Sequence, residues 1–151
     1  MKKGFVAGLL ALMMFGFGVR AEAAGWETDF VKASKTARKS GKYMFVDFSG
    51  SDWCGWCIKL EAEVFSRPEF KNYANKNLVC VLVDFPHEKY QSDEQKAINQ
   101  RLYDFFAVEG YPEVVILSPS GKLIAKTGYQ YGGAIHYVNY LKQVITRDKR
   151  K

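Results

Sequence analysis

Two cysteines separated by two residues, in the run Trp53-Cys54-Gly55-Trp56-Cys57, are the side chains in this sequence best suited to chemistry. A polar turn precedes them, and alternating apolar and charged residues follow. That order places the pair on the first turn of a helix, where thiols at i and i+3 lie close enough to close a small disulfide ring. The first thiol then sits where unpaired backbone N–H groups and the helix dipole favour an anion. Thiols in such positions have pKa values lowered from ~8.5 into the range of roughly 3.5–7.5, giving appreciable thiolate at neutral pH. Cys54 is therefore expected to attack a disulfide and form a mixed disulfide. Cys57, one turn deeper, is expected to resolve it by attacking Cys54. Gly55 keeps the approach open, while Trp53 and Trp56 offer apolar surface to an extended substrate.

Other uses of the pair fit less well. A structural zinc site needs four ligands, commonly a second Cys-x-x-Cys or a spaced histidine pair. The remaining candidates, Cys80, His87 and His136, stand singly, so no metal and no cofactor is implied. A static disulfide across so short a loop would constrain little. Three cysteines also do not make the dense, even-numbered framework of small secreted domains. A chance Cys-x-x-Cys remains, and the surrounding elements decide against it.

Hydrophobic periodicity predicts those elements. Phe30, Val31, Ala33 and Ala37 recur at helical spacing between Thr28 and Lys39, with Gly41 as a stop signal. Tyr43 to Phe48 is almost wholly apolar, as in a strand covered on both faces. Ser49 to Asp52 is a turn into the cysteines, and a helix follows through Phe65. Arg67-Pro68 breaks that helix, and Glu69 to Asn75 forms another. Leu78 to Asp84 is a second buried strand, followed by a polar loop and a helix from about Glu94 to Phe106. Glu113 to Leu117 and Lys122 to Thr127 form a hairpin across Pro119-Ser120-Gly121. A last helix spans about Gly133 to Thr146, with Ile135, Val138, Leu141, Val144 and Ile145 on one stripe. The order α, β, α, α, β, α, β, β, α predicts an α/β sandwich, a central sheet with helices on both faces.

The first residues read differently. Lys2 and Lys3, an uncharged apolar stretch from Gly4 to Val19, and Ala21-Glu22-Ala23 have the order of a secretory leader cut after Ala23. The apolar stretch is shorter than the ~20 residues of a spanning helix. The expected organisation is a signal peptide over 1–23, a single domain over 24–147 and a solvated basic tail over 148–151. Of the formal charge of +6, part belongs to the leader and part to the tail. No basic stripe interleaved with aromatics is found, so nucleic acid is not an expected partner.

With these residues in view, the chain resembles the thioredoxin superfamily over roughly Trp26 to Arg147. Val46-Asp47-Phe48, the turn and Trp53-Cys54-Gly55-Trp56-Cys57 look like the family's strand and active-site segment. Gly110-Tyr111-Pro112 looks like its cis-proline loop, and Gly128 falls where the family places a glycine after the last hairpin. The wording from Asp47 to Cys57 is most similar to exported bacterial members, some labelled disulfide isomerases. The resemblance implies a thioredoxin-like three-layer sandwich with a central mixed sheet. It implies that Pro112 is cis and lies against the disulfide, leaving the Tyr111 backbone to pair with substrate. It also implies that Asp47 is a buried acid acting as general base toward Cys57, a role that a raised pKa would suit.

Three features depart from the family pattern. Phe48 to Asp52 puts one residue more than usual between Asp47 and Trp53. Glu113 stands where a threonine often follows the proline. The dipeptide Gly55-Trp56 matches neither the reducing nor the strongly oxidising members, so the direction of electron flow stays open. Cys80 occupies a strand position where many members carry a lysine, and alternation puts it on the Asp47 side of the sheet. It reads as a small buried hydrophobe. Without that lysine, burial raises the Asp47 pKa with no cation to offset it.

The expected function is thus a periplasmic or otherwise extracytoplasmic disulfide reductase or isomerase. Its partners would be exported proteins with cysteines or disulfides, and a membrane-bound redox partner that recharges it. A net oxidase is the alternative within this chemistry. A non-catalytic peptide-binding or chaperone module, using the tryptophan-flanked groove and the Pro112 loop, is the alternative outside it.

Overall fold

Strand β1 (Tyr43–Ser49) is buried along its whole length, as its unbroken apolar run requires. In the computed structural model, which describes residues 25–150, it is the centre of the sheet. The expected leader over 1–23 lies outside the described residues. On one side β1 pairs in parallel with β2 (Leu78–Asp84). On the other it pairs antiparallel with β3 (Glu113–Leu117), which pairs antiparallel with β4 (Leu123–Thr127). The strand order is β2-β1-β3-β4.

Helices cover both faces. Alternation along β1 sends Met44, Val46 and Phe48 into a core closed by α1 (Phe30–Ser40) and α4 (Asp93–Phe105). Tyr43 and Phe45 point the other way, into a core closed by α2 (Gly55–Leu60), α3 (Pro68–Asn77) and α5 (Gly133–Lys149). The arrangement is the expected thioredoxin-like α/β sandwich. Local signals set the helix ends. The Asp29 carboxylate accepts the Lys32 N–H at 2.9 Å, and the Ser92 hydroxyl accepts the Gln95 N–H at 3.2 Å. Such caps contribute about 1 kcal/mol each. Pro68 opens α3 at a position where its missing N–H costs nothing.

Three features differ from the expected elements. First, α2 runs directly into a π-helical turn, Glu61–Phe65, closed by the Ser66 N–H donating to the Glu61 carbonyl at 2.9 Å. Leu60, Val64 and Phe65 are all buried in one core. In a straight α-helix Phe65 would point about 140° away from Leu60, and the wider turn brings both rows inward. Second, α5 continues past Thr146 to Lys149. Asp148, assigned to a solvated tail, is held there by the Tyr43 hydroxyl, which donates to it at 2.9 Å. Third, Glu27 forms a parallel bridge to Val81 on the outer edge of β2. Its N–H donates to the Cys80 carbonyl at 2.9 Å, and its carbonyl accepts the Leu82 N–H at 2.8 Å. A one-residue bridge has no periodicity to read.

Phe45 is the hub of the core under α2. Its ring lies 6.0 Å from Trp26, 5.5 Å from Phe65, 5.3 Å from Phe70 and 6.3 Å from Tyr137, centroid to centroid. A cavity at this point cannot collapse without moving several rings. Phe45→Ala is expected to cost about 3–5 kcal/mol in urea unfolding, and a loss below about 1 kcal/mol would contradict this packing.

Candidate active site

The cysteines stand where the chain leaves the C-terminal end of β1. The turn between them and the strand is tied down from two sides. The Asp84 carboxylate at the end of β2 accepts the Ser51 N–H at 3.0 Å and the Ser51 hydroxyl at 2.6 Å. The Gly50 carbonyl accepts the Cys54 N–H at 2.8 Å. Gly50 has no room for a side chain, since a Cβ there would fall within the Trp53 indole. The extra residue between Asp47 and Trp53 is taken up here, in the turn, and β1 keeps its register with both neighbours.

Cys54 caps α2: its Sγ accepts the Cys57 N–H at 3.2 Å. The two residues form a disulfide with their Cα atoms 5.2 Å apart. Cys54 is 7% exposed and Cys57 4%, so the second sulfur is the deeper one, as its place one turn later requires. A helix-start N–H aimed at Cys54 Sγ is a ready donor to a thiolate at that atom. The pair can therefore accept two electrons on opening and return them on closing.

Asp47 lies beneath this helix. Alternation puts it on the same face as Phe45, and so into the layer that holds α2. It is 5% exposed, and its Oδ1 has no hydrogen-bond partner among the described residues. Burial pushes its pKa up to about 8, with the Glu61 and Asp84 carboxylates adding to the rise. Among the described residues no cation offsets it. Cys80, paired with Phe45 across the sheet, shares the face, and its buried thiol is pushed up to about 12, with the Asp47 charge as the second cause.

The Tyr111–Pro112 bond is cis. Gly128 packs against this loop so closely that a Cβ would come 2.9 Å from the Pro112 carbonyl oxygen. Trp53 joins the loop to the turn. Its indole N–H donates to the Phe85 carbonyl at 2.7 Å, and its ring meets the edge of Tyr111 at 5.7 Å. Gly55 has open space around it, and Trp56 stands on the surface beside it. Glu113, the departure next to Pro112, is not a free charge. The Lys126 ammonium lies 2.9 Å from its carboxylate.

Sequence reasoning missed two residues. His87 stacks on the Trp53 ring at 4.5 Å with the planes 8° apart. Asp52 holds His87 there, accepting the N–H groups of His87, Glu88 and Lys89 at 2.9, 2.8 and 3.0 Å. These bonds, the one from His87 foremost, hold the Asp52 carboxyl down to about 2. The only available signal was a histidine and an aspartate in polar loops, which is common. His136 sits on α5, beside Gly132.

A Cys-x-x-Cys pair at a helix start and a cis-proline loop joined to it through Trp53 and Tyr111, on a mixed sheet with helices on both faces, define the thioredoxin class of thiol–disulfide oxidoreductases. The thioredoxin-like domain family matches residues 30–145, and the chain belongs to it. It is 37% identical over 120 residues to the disulfide bond reductase DsbH of Chlamydia pneumoniae, covering 80% of this chain and 72% of that protein. A solved structure of a DsbH oxidoreductase superposes with a TM-score of 0.78 at 33% identity, over 93% of this chain and 95% of the other. A thioredoxin from Thermus thermophilus, at 18% identity and a TM-score of 0.60 over 81% of this chain and 88% of that one, shares the fold.

The Asp47 environment predicts a pH dependence. Its pKa is higher in the folded state, about 8, than the ~3.9 of an unfolded chain, so folding retains a proton that the unfolded chain gives up. Its contribution is fully present below about pH 4 and is lost as pH rises toward about 8. In urea unfolding of the disulfide form, Asp47→Asn is expected to gain stability over the original chain by a few kcal/mol more at about pH 8 than at about pH 5. An equal difference at both pH values would show that Asp47 is not held protonated.

Proposed function

We propose that this chain is an exported disulfide reductase in which Cys54 attacks and Cys57 resolves. The Cys54 thiolate attacks one sulfur of a substrate disulfide, forming a mixed disulfide and releasing the other substrate sulfur as a thiolate. Cys57, losing its proton to a base, attacks Cys54 Sγ, closes the Cys54–Cys57 disulfide and expels the second substrate thiolate. Two electrons pass from the protein dithiol to the substrate, and the two substrate thiolates take up protons. Asp47, buried on the α2 side and unpaired at Oδ1, is the proposed base for Cys57. Trp53, Gly55, Trp56, Tyr111 and Pro112 are the proposed contacts for an extended substrate segment.

The observation that carries this reading is the Cys57 N–H aimed at Cys54 Sγ at the start of α2, in a chain whose relative at 37% identity is named a disulfide bond reductase. The leader-like residues 1–23 support an extracytoplasmic location. In an oxidising compartment a dithiol does not stay reduced unaided. The partner that reopens the disulfide is therefore proposed to be a membrane-bound dithiol donor, and the substrates to be exported proteins with disulfides. An insulin-reduction assay tests the proposal. The original chain is expected to accelerate precipitation of the insulin B chain, and Cys54→Ser to run at the uncatalysed background. An original chain no faster than Cys54→Ser would sink the enzymatic reading and favour a peptide-binding module.

A further inference from the structure

We infer that Trp56, Tyr129 and Tyr131, gathered round the Lys59 ammonium, form a specificity surface for partner segments that carry an aromatic side chain beside the reacting cysteine. The inference rests on Cys54 being the attacking sulfur. The three rings form a closed cluster: Trp56 and Tyr129 lie 5.1 Å apart, Tyr129 and Tyr131 5.4 Å, Trp56 and Tyr131 6.5 Å. The Lys59 ammonium sits 5.1, 5.2 and 5.7 Å from their centroids. Each ring face is thereby held by one cation, a stabilising arrangement for aromatic rings.

Tyr129 leans on the core under α2, while Trp56 and Tyr131 extend the cluster from it onto the surface. Trp56 is 50% exposed and Tyr131 74%, although packing alone would bury such rings. An exposed apolar surface of this kind beside a reactive group marks a binding site. Its position settles what binds. A mixed disulfide puts the partner's cysteine Cα about 4.4–6.8 Å from that of Cys54, and the next partner residue about 3.8 Å further on. Trp56, two residues beyond Cys54, lies within that reach, so this surface is available to a residue flanking the partner's cysteine.

Charge decides the chemistry of that residue. Glu63 stands 3.9 Å from the Lys59 ammonium and also accepts the Tyr129 hydroxyl, so the one cation in the cluster is already offset. What remains exposed is ring surface, which selects an aromatic neighbour over an acidic one. The opposite flank is less open, because Trp53 has one face taken by His87.

The test uses two short peptides, each joined to glutathione by a disulfide through its single cysteine, flanked by phenylalanine in one and alanine in the other. The dithiol form of the full chain is expected to reduce the phenylalanine peptide about two- to tenfold faster, the size of one aromatic contact. In Tyr131→Ala the ratio of the two rates is expected to fall close to one, and in Tyr131→Phe, which keeps the ring, to persist. Equal rates for the two peptides with the original chain would overturn the inference and leave the reductase reading standing. A ratio that survives Tyr131→Ala would overturn the assignment to this surface. Reduction of neither peptide would overturn both the inference and the reading beneath it.

Discussion

Strand β1 is hydrogen-bonded on both edges and covered on both faces, and the geometry of the site follows from that burial. A strand so enclosed cannot shift register without turning Met44, Val46 and Phe48 into the wrong core. Its C-terminal end is therefore a fixed point. Asp84, at the parallel end of β2, fastens the next turn, and the Gly50 carbonyl fastens Cys54. Rigid sheet, fastened turn and helix start hold the two sulfurs within bonding reach of each other. The cis-proline loop enters from β3, the other neighbour of β1, so both halves of the site hang from one strand.

Aspartates near this point show how environment divides one side-chain type into different roles. Asp52, in the turn, receives three backbone N–H groups and is held ionised, at about 2. Asp47, a few residues earlier in the buried strand, finds no partner for Oδ1 and is pushed to about 8. Asp52 is a fastener that positions the His87 loop and, through it, the Trp53 ring. Asp47, with a pKa close to neutral pH, exchanges its proton readily there, which suits the base role proposed for it toward Cys57. The cost of burying it is borne by the surrounding apolar packing, with Cys80 in place of any cation.

Much of this was legible in the residues. Unbroken apolar runs identified β1, β2 and β3, because strands buried on both faces need no polar side. The cysteine spacing marked the redox pair, and the cis bond at Tyr111–Pro112 was expected only through the resemblance to the thioredoxin superfamily. Alternation placed Cys80 on the Asp47 face. What escaped reading depended on contacts between distant segments. The stacking of His87 on Trp53 needs the loop after β2 to fold back over the turn, and no local pattern encodes it. The Lys126 partner of Glu113 became visible only once β3 and β4 were paired. The π-helical turn arises from the demand that Leu60, Val64 and Phe65 share one core, which periodicity tuned to 3.6 residues does not represent.

The cysteine pair belongs to a thiol–disulfide oxidoreductase, and the proposed direction of transfer, from the protein dithiol to a substrate disulfide, is the central claim. The equilibrium reduction potential of the Cys54/Cys57 pair against glutathione tests it most directly. A reductant is expected to give a value near ~−270 mV, whereas a value near ~−120 mV would make the closed disulfide the working form and contradict the account.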